Sequence, residues 1–127
     1  MRVGAGAQPD AASVVDRIIL TIPSDDRYRG VGTLVLGGVG SRLDLPYERM
    51  DDLQLALLSA LEASLDGEVT LEIDAAQGGL GLVIGPLRDG SHADDGLALV
   101  LSRLVDEVGH ERRDGQEWIA LRLRATT

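Results

Sequence analysis

Met50-Asp51-Asp52-Leu53-Gln54-Leu55-Ala56-Leu57-Leu58-Ser59-Ala60-Leu61-Glu62-Ala63-Ser64-Leu65 is the strongest helical stretch of the chain. Leu and Ala lose little side-chain freedom in a helix. Leu53, Leu57, Leu61 and Leu65 recur at helical spacing and draw one continuous apolar row. Leu55 and Leu58 widen that face past half the circumference, which predicts burial on more than one side. Ala56, Ser59 and Ala63 make a separate strip of small residues at the same spacing.

On the C-terminal side, Asp66-Gly67 stops the helix, because Gly takes a left-handed C-terminal conformation readily. Glu68-Val69-Thr70-Leu71-Glu72-Ile73-Asp74 then alternates polar and apolar residues, the pattern of a half-buried strand. Gln77-Gly78-Gly79 reads as a turn and Leu80 to Ile84 as the second strand of a hairpin. On the N-terminal side, Asp44-Leu45-Pro46 breaks the chain, with Pro46 expected in the first helical turn and Asp44 or Leu45 as its cap. Before it, Arg27 to Ser41 reads as a helix with Val31, Leu34, Val35 and Val39 on its apolar face. Glycines at 30, 32, 37, 38 and 40 fit there best where another backbone packs close; otherwise they mark an irregular segment. Ser24-Asp25-Asp26 supplies its N-cap candidates, and Val14 to Ile22 is a strand ending at Pro23.

Gly85 to Gly96 is rich in turn-formers and reads as a long loop. Leu97 to Val108 is expected to be a helix ended by Gly109, with Asp94-Asp95 suited to its N-terminus. Glu111 to Gly115 reads as a charged turn, and Glu117 to Arg124 alternates as a final strand. The order β-α-α-β-β-loop-α-β implies an α+β fold: a two-layer α/β sandwich, mostly antiparallel, with the helices on one face. Thr70, Glu72, Arg122 and Arg124 would face water on the other. Residues 1–13 read as a loose tail and 14–127 as one domain.

The 127 residues carry a net charge of -9, which disfavours nucleic acid and anionic membranes as partners. There is no Cys, so disulfides and thiolate metal sites are excluded, and a reducing cytoplasm is the expected location. No run is long and apolar enough to span a membrane, and Met1 to Ser13 lacks the apolar core of a secretory signal. The chain also has no Lys, Asn or Phe, so its core must be aliphatic. His92 and His110 have no ligands at metal-binding spacing and read as surface residues.

In order and residues the chain resembles the bacterial anti-sigma-factor serine kinases of the GHKL ATPase superfamily, with their Bergerat fold. Ile18-Ile19-Leu20-Thr21-Ile22-Pro23 looks like that family's first strand. Asp51-Asp52-Leu53-Gln54-Leu55-Ala56 looks like the start of its N-box helix, and Gly67-Glu68-Val69-Thr70-Leu71 like the strand after it. Gly96-Leu97-Ala98-Leu99-Val100-Leu101 through Val108 looks like its second glycine box and following helix.

The resemblance implies a nucleotide held between the N-box helix, two glycine boxes and a lid, with a Glu base and, four residues on, an Asn for Mg²⁺. Those two positions fall on Ser59 and Ala63. A hydroxyl is no carboxylate base, and a methyl binds no metal. Glu62 is the nearest carboxylate, about 100° around the helix from Ala63. The Asp that would read adenine falls on Pro86. Asp89-Gly90 lies three residues later without the box's second glycine, and of the second box Gly96 remains while another glycine has become Ala98.

The resemblance without the motifs implies a non-catalytic anti-sigma-factor-like regulator that binds proteins and carries no catalytic or metal-binding residue. No cofactor is expected; ATP and Mg²⁺ enter only if the degenerate pocket of Pro86, Asp89, Gly90 and Gly96 still works. Implied partners are a sigma factor, an STAS-domain anti-anti-sigma protein or a second copy, meeting the chain near Arg27, Arg29 and Arg42. The alternatives are an active serine kinase using displaced ligands such as Glu62 and Asp89, and a small-molecule sensor built on the remodelled pocket. For the Ser59/Ala63 strip the simplest role is close packing. For Gly85 to Gly96 a solvated loop and a partner-contacting lid both fit.

Overall fold

A computed structural model describes residues 2–5, 14–76 and 78–124, with side chains from residue 17 onward. The strands are β1 (Arg2–Ala5), β2 (Val14–Pro23), β3 (Glu68–Ala76), β4 (Gly79–Leu87), β5 (Glu107–Arg113) and β6 (Gln116–Arg124). The helices are α1 (Arg29–Arg42), α2 (Tyr47–Glu62) and α3 (Asp95–Leu104). Short 3-10 turns occupy Asp26–Tyr28 and Ser91–Ala93. One six-stranded sheet runs β1-β2-β3-β4-β6-β5, and every neighbouring pair is antiparallel. The architecture is the expected two-layer α/β sandwich of GHKL-like type.

Register fixes which side of the sheet is dry. Leu20 pairs with Leu71, Leu71 with Ile84, and Ile84 with Ile119. Ile73 pairs with Leu82 and Leu82 with Leu121. Directly opposed residues share a face, so these rows form one aliphatic floor, and all seven are essentially fully buried. α1 packs on β2 and β3, and α2 on β4 and β6, from that side. Leu53, Leu57 and Leu61 of α2 complete the core. The outer face carries Thr70, Glu72 and Arg122. There the Thr21 and Thr70 hydroxyls bond at 2.9 Å. Arg113 reaches across from β5 to Glu72 at 2.7 and 3.0 Å, its guanidinium 4.3 Å from the Trp118 ring centre. Gly85 is glycine because a Cβ would collide with that Trp118 ring.

Several expectations need correction. Residues 2–5 of the stretch read as a tail form β1 against Ile18–Thr21; residues 1 and 6–13 lie outside the described ones. The long loop is shorter than expected, since β4 continues through Pro86 to Leu87 and α3 starts at Asp95. α3 stops at Leu104, and Glu107–Arg113 is a strand rather than a helix end and a charged turn. α2 begins earlier, at Tyr47, and ends earlier, at Glu62 with Ala63 as its C-cap, so Asp66-Gly67 follows it as a bend. Pro46 is its N-cap residue, not a residue of its first turn, and the Met50 N–H donates to the Pro46 carbonyl.

The widened face of α2 is dry on the sheet side alone: Leu55 is 52% exposed. On α1, Leu34 points outward, while Gly32, Leu36, Val39 and Gly40 face inward. A side chain at Gly40 would run into the Met50 thioether. The α1 glycines that face inward thus mark close approach, Gly40 to α2 and Gly32 to Leu71 of β3 and Leu57 of α2, rather than irregularity.

Candidate functional site

The small-residue strip of α2 faces α3. Ala56 is buried, and Arg49 on the same side of α2 pairs with Asp106, just beyond α3. Near its C-terminal end, where Ser59 and Ala63 have no bulk, the two helices leave an open cleft of about 340 Å³. Ser59, Ala63 and Gly96 line it together with Glu62, Arg88 and Val100. Three positions that the resemblance assigns to nucleotide chemistry, 37 residues apart at the extremes, are therefore brought to one place by the fold. Pro86, Asp89 and Gly90 are not among its lining residues.

Each polar group at the cleft has a traceable environment. The Ser59 hydroxyl donates to the Leu55 carbonyl at 2.9 Å, one turn back along its own helix. Asp94 caps α3, accepting the Leu97 N–H at 3.0 Å, as expected of a carboxylate before this helix. Arg88 is tied by its backbone N–H to the Ala63 carbonyl at 2.8 Å, and its guanidinium leans on the Ser64 carbonyl at 3.4 Å. Glu62 and Arg88 also border a second cleft of about 420 Å³, which holds Asp25, Asp26, Arg29 and Asp66. The two clefts thus meet at one carboxylate and one guanidinium.

The residues offered for partner binding do not gather in one patch. Arg27, in the 3-10 turn before α1, is bonded to Asp25, and Arg29, the first residue of α1, to Asp26. Arg42 ends that helix, about 20 Å away by helical rise. Asp25 is held below the usual carboxylate range by the Arg27 N–H and then by the Arg27 guanidinium.

Pro86 lies within β4 and accepts the Leu65 N–H, while Asp89-Gly90 forms the turn that follows. That turn is anchored by a residue the sequence did not single out for a role. Glu117, on β6, is 5% exposed and accepts the Gly90 N–H at 2.8 Å and the His92 N–H at 2.6 Å. These donors, the one from His92 foremost, hold its carboxyl below the usual glutamate range; the charges of His92 and Arg112 add to the effect. His92 also bonds through Nε2 to the Trp118 carbonyl at 2.8 Å and stacks on His110 with ring centres 4.3 Å apart. The two histidines expected as isolated surface residues are thus neighbours, His92 half-buried and His110 on β5 instead of a helix end. Among the described residues no group of three or more His, Cys, Asp and Glu is placed to hold a metal ion. No helix of the described residues is long and apolar enough to cross a membrane.

The chain is 35% identical over 69 residues to the serine-protein kinase RsbW of Listeria monocytogenes, and equally to that of Listeria innocua. The match covers 48% of this chain and 44% of the relatives, so it spans less than half their length. No family model matches the chain. The partial identity supports kinship with the bacterial serine-protein kinases that the sequence resembles.

Proposed function

We propose that the chain is a non-catalytic relative of the anti-sigma-factor serine kinases that regulates by binding proteins. One observation carries this reading: Ser59, Ala63 and Gly96 line a single cleft between α2 and α3. The scaffold of a nucleotide site is kept there, and the groups that would do its chemistry are replaced. The donor set suits Mg-ATP poorly. Mg²⁺ needs several hard oxygen ligands in near-octahedral array. Asp94 already caps a helix, the Ser59 hydroxyl is turned to its own backbone, and Ala63 offers a methyl. Partners by kinship are a sigma factor, an STAS-domain anti-anti-sigma protein, or a second copy of the chain, in a bacterial cytoplasm.

The test is to incubate the pure chain with a sigma factor or STAS-domain protein from its own source, with radiolabelled Mg-ATP, and to separate the mixture by size. The reading expects a stable complex and no labelled partner. Labelled phosphoserine on the partner would overturn it.

A second reading, an active kinase using Glu62 as base, draws on the position of Glu62 in both clefts. Asp89, its suggested companion, lines neither. If that kinase exists, Glu62→Ala must abolish phosphate transfer; transfer that survives the change removes Glu62 from the chemistry.

A further inference from the structure

Both helices that bound the cleft carry apolar side chains that the fold leaves uncovered, and one of them, Val100, lines the cleft itself. Leu55 on α2 is 52% exposed; Leu99 and Val100 on α3 are 55% and 43% exposed. Between them the floor is small: Ser59, Ala63 and Gly96. Small floors with apolar banks let a helix approach closely and seat its own side chains between the ridges.

Charge decides what that helix must be. Glu48, Asp52, Leu55, Ser59 and Glu62 follow one another at steps of four and three residues, so they share one face of α2. Ser59 and Glu62 border the cleft, and Leu55, Asp52 and Glu48 continue the same face back along α2 from it. Three of its five residues are acidic. Asp94 and Asp95 add two carboxylates at the start of α3, against Arg88 and Arg103. A second copy would bring the same acidic face and be repelled. An anionic membrane surface would be repelled too.

We infer that this groove docks an amphipathic helix of a partner protein, with small and aliphatic residues on its apolar stripe and Lys or Arg along its flanks. The inference rests on the protein-binding reading above and names the surface and the partner's chemistry. The two can fail separately. Phosphate transfer to a partner would end the non-catalytic reading whatever happens at the groove. A partner complex that forms through some other surface would end only this inference.

The experiment uses the full chain, labelled with ¹⁵N, and two synthetic helical peptides of roughly 20 residues. Both carry the same Leu/Ala stripe; one has Lys flanks and the other Glu flanks. The basic peptide is expected to shift amides of residues 48–63 and 94–103, and to bind at least about tenfold more tightly than the acidic one at low salt. Leu55→Glu and Val100→Glu, both at exposed positions, are expected to weaken the basic peptide by about tenfold or more. Attraction by charge alone would instead be strengthened by the added carboxylates. Leu34→Glu on exposed α1 is the control and should leave binding unchanged.

Shifts elsewhere on the surface would overturn the proposal. So would equal binding of both peptides, tighter binding by the Glu variants, or no shifts at millimolar peptide. Saturable binding of a small molecule such as ATP in the groove, displacing the basic peptide, would also overturn it.

Discussion

The two sides of α2 are built to opposite rules. Toward the sheet it presents Leu53, Leu57 and Leu61, all essentially without solvent contact. Toward α3 it presents Arg49 and Ala56, and then Ser59 and Ala63 at an open cleft. The first side makes the fold stable. The second contributes little packing near its end, and leaves room where the sheet side leaves none. A helix whose two faces differ this much separates folding from binding. The cleft can lose its chemical groups while the core that positions it stays intact.

That contrast can be broken by substitution. The largest effect is expected at Leu57→Ala, which opens a cavity in the aliphatic core and should cost about 2–5 kcal/mol in urea unfolding. If it costs no more than a surface change, the division of labour on α2 is wrong. Next comes Gly85→Ala, on the outer face of the sheet. Its methyl would meet the Trp118 ring under Arg113, and about 1–3 kcal/mol is expected from such overpacking.

Glu117→Gln comes third. The carboxylate accepts N–H groups from both Gly90 and His92, and an amide cannot accept with both ends. A lower melting temperature at neutral pH should follow, with faster hydrogen exchange at Gly90 and His92. The same residue predicts an acid dependence. Its folded pKa lies below the ordinary 4.5, so its contribution is full above that value and is lost as pH falls through the folded one. The wild type should therefore lose stability on acidification through this range, and Glu117→Gln should flatten that slope. An unchanged slope would show that Glu117 is not the group responsible.

The smallest effect belongs to Ser59→Ala. The hydroxyl bonds only to its own helix, and Ala is the better helix former, so stability should change by less than about 0.5 kcal/mol. Side by side, Leu57→Ala and Ser59→Ala measure the asymmetry of α2 directly by denaturant titration.

Most of the fold was legible because the strands that matter are half-buried. β3 from Glu68 to Asp74 and β6 from Leu121 to Arg124 alternate apolar and polar residues, and α2 carries an unbroken leucine row. β5 was not legible. Glu107-Val108-Gly109-His110-Glu111-Arg112-Arg113 has one aliphatic residue and lies at the sheet edge, so burial imposes no alternation on it. The inward face of α1 was legible in part: Val31, Val35 and Val39 pack in or against the core, while Leu34 points outward and Gly32, Leu36 and Gly40 were missed. Two of the four buried residues of α1 are glycines, which carry no hydropathy signal; only the packing of α1 on α2 and β3 reveals them.

At the site, Ser59, Ala63 and Gly96 could be named from spacing and resemblance. Arg88 and Glu117 could not, because their roles depend on contacts 24 to 27 residues away in the chain. The pairing of His92 with His110 was hidden for the same reason: it exists only because β5 is a strand beside β6.

If the α2–α3 cleft keeps the place of a nucleotide site without its chemistry, as proposed, isothermal calorimetry of the full chain with Mg-ATP will give no saturable heat at micromolar nucleotide. Micromolar binding that is lost in Glu62→Ala, together with phosphate transfer to a partner serine, would contradict it.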